Sequence, residues 1–454
     1  MSSLEPPIDL SPAFGPESGR CLLRATAAAD ADGVIQPAHL VVEAGRLLAV
    51  GTPDEIGPVD TQIVDLGPRV VIPALVNAHA HLDLTNVGPI SIEAGFDAWL
   101  GEIRTRRPSD PQSTHAAVRA GVRASIAGGV VAVGDIAGAF GLDATRALAE
   151  GPLGGVSFVE VFGIGERLSA GEAAVDRIAG DAGLRELERP GFRIGISPHA
   201  PYSCGRNVFE RAAQTDFPVS THLAETPEEA AFTQDATGPF IDLLRRVGSL
   251  GVDDPRAALG LAPGEVGPHP IELLAGIRPV VPWLVAHVNY PTEPDESGDE
   301  AENFERRASA LRAMGAIVAF CPRAAAFLGH PRPGRDGHPW RRLLAAGVPV
   351  ALGTDGLPCL DTPGRLSTLD DARLLWREGA DLPTVLGMAT LSGARALGLR
   401  EEAFRFSRGA TAGLLGLPLD SVVDHSIPTG LAEALGTAAG DPIWLTAPGF
   451  GELG

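Results

Sequence analysis

Two kinds of segment alternate along most of this chain. Short apolar and β-branched runs recur: VVIPALVNAHAH (70–81), GGVVAVGDI (128–136), GVSFVEVFG (155–163), FRIGISPHA (192–200), FPVSTHLAE (217–225), WLVAHVNY (283–290), AIVAFCPRA (316–324) and VPVALGTDG (348–356). Between them lie longer Ala-, Leu- and Arg-rich stretches, such as STHAAVRAGVRASIA (113–127), GEAAVDRIAGDAGLRELE (171–188) and NFERRASALRAMG (303–315). Short apolar runs bounded by turn residues read as buried strands, and their alternation with helix-length stretches reads as repeated β/α units. Eight runs predict an α/β protein built on a (β/α)8 barrel over residues 71–395.

The two ends break this rhythm. Residues 1–18 are rich in Pro, Ser and Glu and read as a loose arm. From Cys21 to Leu66, CLLRATA, HLVVEAG and RLLAVG are separated by Gly, Asp and Pro, which predicts small antiparallel strands. Neither 19–70 nor the tail 396–454 offers enough strands for its own core, so the two together are expected to form a small β-sandwich domain. Two segments exceed ordinary loop length. Residues 237–282 contain IDLLRRVG and IELLAGI and are expected to carry helices; the acidic 293–302 is expected to be a solvated loop.

The polar residues are not scattered over the runs. His79 and His81 close the first, His199 the fourth, His222 the fifth, His287 the sixth and Asp355 the eighth. In a barrel the C-terminal strand ends meet at one mouth, so these residues would converge. Side chains alternate along a strand, so His79 and His81 face the same way and Ala80 faces away. With His222 and Asp355 they make an N,N,N,O set suited to Zn²⁺ or Fe²⁺ with a position left for water. The competing reading, hydrogen-bonded core histidines, must explain why they all sit at one end of the strands. Glu225, three residues after His222, is a candidate general acid/base; Glu228 and Glu229 better fit the first turn of the helix that follows.

Composition narrows the rest. The 454 residues are 44% hydrophobic and 20% charged, which supports a large core. An excess of 57 acidic over 36 basic residues gives a net charge of −21, which disfavours nucleic acid and anionic lipid as partners. No lysine occurs, so Schiff-base, P-loop and carboxylated-lysine chemistry are excluded. Arg104, Arg106 and Arg107 are then expected to do surface work, while Arg323, at a strand end, is a candidate substrate contact. The four cysteines form no C-x-x-C pair, and no signal-like or membrane-length apolar segment is visible, which points to reduced thiols and a cytoplasmic protein.

The pieces NAHAHLDLT, SPHAPYSC, STHLAETPEE, VAHVNY, CPR and ALGTDG, in that order, resemble the amidohydrolase superfamily, in particular its branch of metal-dependent aminohydrolases that deaminate cytosine, guanine, S-adenosylhomocysteine and aminodeoxyfutalosine. The resemblance implies one divalent ion, zinc first and iron or manganese as alternatives, held by His79, His81, His222 and Asp355. It also implies proton transfer by Glu225 and Asp355, stabilisation of developing charge by His287, substrate contact by His199, and a homodimer. The implied reaction is hydrolytic deamination of an amino-substituted heterocycle or nucleoside-like small molecule. The same centre could displace halide or alkylamine from a triazine-like ring, or survive in a silent binding protein. The shell around it departs from the family pattern: Ala324 and Ala325 follow CPR where polar residues are usual, and LPCLDT follows GTDG.

Overall fold

The computed structural model describes residues 19–138, 141–251, 255–293, 298–331, 337–362, 364–406, 412–419, 428–448 and 453. The arm expected over 1–18 lies outside the described residues. Among the described residues, seven strands precede the barrel: β1 (Arg20–Ala25), β2 (Ala27–Asp30), β3 (Gly33–Ile35), β4 (Ala38–Glu43), β5 (Arg46–Gly51), β6 (Gln62–Asp65) and β7 (Arg69–Pro73). The barrel strands are β8 (Leu75–Ala80), β9 (Val130–Ile136), β10 (Gly154–Val161), β11 (Phe192–Pro198), β12 (Val219–Leu223), β13 (Trp283–His287), β14 (Ile317–Phe320) and β15 (Val350–Leu352). Two more, β16 (Leu414–Pro418) and β17 (Ile443–Trp444), follow.

Strands β8 to β15 lie side by side in sequence order and every pair is parallel, so the eight predicted runs form the (β/α)8 barrel. The ring closes at an Ala80–Asp355 bridge between the last residue of the first strand and the segment that follows the last. Closure requires close approach there: a Cβ on Gly353 would stand 2.9 Å from the Cβ of His79 and 3.0 Å from its carbonyl oxygen.

The helix Pro111–Ala127 shows how a linking stretch is specified. Asp110 caps it through Ser113 N, Pro111 occupies the first turn, and Val118, Val122 and Ile126 fall at helical spacing and are buried. Removing each of those side chains from water contributes roughly 1.5–3 kcal/mol, so a Val122→Asp change would detach the helix. The chain then turns into β9 through Gly129, whose φ of +83° suits glycine.

The first apolar run holds two strands rather than one. Its VVIP half belongs to β7, in a sheet ordered β17-β16-β7-β2-β3, and only the second half enters the barrel. A second small sheet is ordered β5-β4-β1-β6, with β6 parallel to β1 and the rest antiparallel. Leu23, Leu40, Val42 and Leu47 from one sheet share a core with Val71 and Leu414 from the other, so the chain's tail completes the small sandwich that its opening strands begin.

Segment 237–282 carries the short helices Phe240–Arg246, Pro255–Ala258 and Pro270–Leu273, as expected. The acidic stretch is not all loop: Asp299 caps the helix Glu300–Ala313 through Ala301 N and Glu302 N, and residues 294–297 lie outside the described residues. All four cysteines are free and buried. No described helix is long and apolar enough to cross a membrane.

Candidate active site

The ends of five barrel strands bring the polar residues together. His79 lies inside β8 and His81 one residue past it, and the extended backbone aims both rings into one space, centroids 5.2 Å apart. His222 in β12 lies 5.0 Å from His79 and 5.5 Å from His81. Asp355 follows β15, and the N–H groups of Thr354 and Asp355 both donate to the His79 carbonyl at 3.0 Å. Barrel closure and the placement of Asp355 are therefore one structural event.

The hydrogen-bond state of these groups tests whether a cation fits. His222 Nδ1 donates to the His199 carbonyl at 3.0 Å, which leaves a lone pair on Nε2, and that atom faces His81 Nε2 at 3.4 Å. Asp355 Oδ1 stands 3.3 Å from His81 Nε2 and 3.9 Å from His79 Nε2. Neither ring nitrogen of the fully buried His79 has a hydrogen-bond partner. Burial, then the neighbouring imidazoles, hold His79 well below the ordinary histidine range; burial, then His199 and His287, bring His222 down to about 4. Neutral imidazoles are the form that binds metal. Buried polar atoms without partners, such as the His79 nitrogens, are costly, and a divalent ion with three nitrogen and one oxygen ligand would resolve that cost.

Beside this group lie Glu225 and His287. After β12 the backbone turns left-handed at Ala224, φ +48°, which carries Glu225 to 3.7 Å from His287 Nε2. The turn is held from both sides. Asn289 Nδ2 donates to the Glu225 carbonyl at 3.0 Å, and the two carboxylate oxygens of Glu229 accept from Ala224 N at 2.9 Å and Glu225 N at 3.2 Å. Glu229 sits in the first turn of the helix Pro227–Asp235, as expected of an acid there, but it is fully buried and anchors the turn that bears Glu225. His287 and Val288 are also left-handed, at φ +70° and +54°, and Asp355 at +61°. Such strain costs about 1–3 kcal/mol per residue and collects at functional sites. Burial pushes the Glu225 carboxyl up, with His222 opposing, and pushes His287 down, with Asp355 opposing.

A cavity of about 340 Å³ opens over these groups. Its floor includes His81, His222, Glu225, His287 and Asp355, and His199 lies on its wall. Much of its apolar lining comes from two segments: Trp99 and Ile103 of the helix Phe96–Arg106, and Leu244 and Val247 of the insertion that begins near residue 237.

The arginines depart from expectation. Arg323 does not reach the cavity: its backbone N and Nε donate to Asp371 and its Nη1 to Thr362 Oγ1, because the helix that opens at Pro322 packs it against the Ser367–Asp371 segment. Arg104 and Arg106 are exposed, as expected of surface groups, although Arg104 borders the cavity. Arg107 is not a surface group. Its Nε and Nη2 hold the two oxygens of Asp83 at 2.6 and 3.2 Å, and it lines the cavity beside Glu160. Glu160 and Arg107 were not singled out from the sequence as site residues. The available signal was a lone carboxylate inside the otherwise apolar run GVSFVEVFG.

Comparison with known proteins follows this geometry. The amidohydrolase family pattern matches residues 70–415. An aminodeoxyfutalosine deaminase of Deinococcus radiodurans is 30% identical over 396 residues, covering 84% of this chain and 85% of its own. The solved aminofutalosine deaminase of Helicobacter pylori, in complex with methylthio-coformycin, superposes with a TM-score of 0.66 at 20% identity, over 95% of this chain and 99% of that one. Atrazine chlorohydrolase of Arthrobacter aurescens, complexed with zinc, gives 0.64 at 19% identity, over 95% and 94%. At these identities the two superpositions speak to the fold.

Proposed function

The chain belongs to the amidohydrolase family, and from that premise we propose that it is a metal-dependent hydrolase of carbon–nitrogen bonds that deaminates an amino-substituted, nucleoside-like heterocycle. The observation that carries the reading is the convergence of His79, whose ring nitrogens have no hydrogen-bond partner, with His81, His222 and Asp355 beside a buried Glu225. In this reading those four residues hold one divalent ion, zinc in the first place. Bound there, the ion supplies the Lewis acidity that makes water a nucleophile near neutral pH.

The chain's own residues do the rest. Glu225 takes a proton from the attacking water and passes it to the ring nitrogen next to the attacked carbon; its elevated carboxyl suits both holding and releasing that proton. As the carbon–oxygen bond forms, His287 steadies charge on the new oxygen from 3.7 Å beyond Glu225. The water's second proton moves through Asp355 or Glu225 to the amino group, the carbon–nitrogen bond breaks, and ammonia leaves with an oxo product. Glu229 and Asn289 hold the Glu225 turn in place while its side chain exchanges protons. The apolar outer walls exclude water from the centre and receive the part of the substrate remote from the ring.

The test is ammonia release by the purified, metal-loaded protein over aminopurine nucleosides, free aminopurines, pterins and aminotriazines. Equimolar ammonia and oxo product from at least one amino-heterocycle, abolished by a chelator and restored by zinc, is the expected result. Halide or alkylamine release from triazines with no deamination would transfer the site to the displacement reaction. No turnover with any compound, despite metal binding, would leave a binding protein.

A further inference from the structure

Glu160 is a buried carboxylate at this rim that the chemistry above does not use. It stands one residue before the end of β10, its side chain is 2% exposed, and it lines the cavity. Its surroundings offer it no hydrogen bond. Arg107 Nη1 lies 3.6 Å from Oε2, beyond hydrogen-bond distance, and Arg107 spends its Nε and Nη2 donors on Asp83. Oε2 has no hydrogen-bond partner and meets only the Arg107 guanidinium.

On the other side is His199, whose Nε2 lies 3.9 Å from Glu160 Oε1. Its Nδ1 lies 2.7 Å from Ser203 Oγ, which also lies 3.1 Å from the Ala200 carbonyl. A neutral imidazole carries one N–H, so with the Ser203 proton on that carbonyl the histidine donates through Nδ1 and its Nε2 lone pair faces Glu160. Phe162, stacked on the ring at 4.8 Å, fixes its plane. In that tautomer two acceptors face one space at the cavity wall, one of them a buried carboxylate without a hydrogen-bond donor. Buried polar groups in folded proteins nearly always have partners, and the group missing here is one that a ligand can bring.

We propose that Glu160 and His199 form a paired-acceptor subsite that selects substrates bearing hydrogen-bond donors outside the atoms that react, with Glu160 as the specificity-determining residue. The 3.9 Å between the acceptors suits neighbouring donors, such as the hydroxyls of a sugar; a ring N–H of a free base is the other source of the same chemistry. His199 follows β11, the neighbour of the strand that bears His222, and Glu160 stands near the end of β10, the strand beyond it, so a heterocycle positioned for attack beside Glu225 would extend its substituent toward them. This inference rests on the deaminase reading.

The test compares adenosine, 2′-deoxyadenosine, 3′-deoxyadenosine and adenine with the metal-loaded wild-type enzyme and with Glu160→Gln. A site built around a substrate donor rejects the analogue lacking it strongly, so loss of the engaged hydroxyl should lower kcat/KM roughly 10²-fold or more. Glu160→Gln should keep its metal, raise KM for adenosine more than it lowers kcat, and shrink the hydroxyl-to-deoxy ratio toward about one. If adenine reacts as well as adenosine with the same dependence on Glu160, the subsite stands and its donor is the base N–H. Calorimetric binding of inosine against 2′- and 3′-deoxyinosine to the wild-type protein gives a readout free of turnover and of the variant's folding. Hydroxyl-dependent binding with no ammonia from any compound would keep the subsite and remove the deaminase reading. Ammonia released from all four compounds within about threefold of one another, or an unchanged ratio in folded Glu160→Gln, would overturn the subsite and leave the deaminase reading intact.

Discussion

Two buried polar clusters stand at the C-terminal ends of the barrel strands. Around Arg323, after β14, every feature of a salt-bridged network is in place: backbone N and Nε donate to Asp371 at 3.1 and 3.2 Å, Nη1 to Thr362 Oγ1 at 2.6 Å, and Nη2 to the Ser367 carbonyl at 3.4 Å. Around His79, in β8, burial is as deep and the groups are as polar, yet both His79 nitrogens lack partners, and the Nε2 atoms of His81 and His222 face each other at 3.4 Å. Burial alone therefore does not mark a site. The first cluster ties the helix after Pro322 to the next β/α unit, and in the proposed reading a cation completes the second.

The comparison can be broken in several ways, the largest effect first. Glu225→Gln should leave metal content unchanged and cost at least ~10²–10⁴ in turnover, the range of general acid/base catalysis, with more expected because Glu225 serves two proton transfers. Steady-state kinetics beside elemental analysis check it, and near-normal turnover would move the proton to Asp355. Arg323→Met should do the reverse. Removing one partner of a buried pair costs about 3–5 kcal/mol, so the denaturation midpoint should fall while the folded fraction keeps its metal. Loss of metal with little loss of stability would place Arg323 in the centre after all.

The smallest effect concerns an intermediate case. Asp135 accepts from Leu82 N at 2.9 Å through Oδ1, its Oδ2 has no partner, and burial pushes its carboxyl to about 8 from 3.8. The folded state then holds the proton more tightly than the unfolded chain. That contribution is full below pH about 4 and is lost as pH rises through about 8. Thermal midpoints should decline over the upper part of that window, and Asp135→Asn should flatten the decline in part; Glu229, pushed to about 8 by burial, adds a slope of the same sign. A midpoint that rises with pH in the wild type would contradict this.

Much of the scaffold could be read without the structure, because strand burial in a parallel barrel writes itself as continuous apolar runs. The eight runs, the histidines at their ends and the closing role of the tail follow from that. What escaped reading depends on neighbours distant in sequence. VVIPALVNAHAH gives no local sign that Pro73–Ala74 divides two sheets, since both halves are equally apolar. Arg107 and Arg323 carry the same charge in similar surroundings of sequence, and only the position of Asp83 and Asp371 decides that each is internally paired and that Arg107 alone borders the cavity. Glu229 looked like an ordinary first-turn acid because its two backbone donors lie on the turn that its own helix folds back against.

The central claim, that the unpaired cluster is a metal centre and the paired one is scaffold, is tested most directly by elemental analysis of dialysed protein. Wild type and Arg323→Met should each retain about one divalent ion per chain, and His222→Ala about none, because removing a ligand costs more than the ~10–100-fold in affinity typical of outer-shell changes. Metal-free wild-type protein that stays metal-free after reconstitution, or an undiminished ion in His222→Ala, would contradict it.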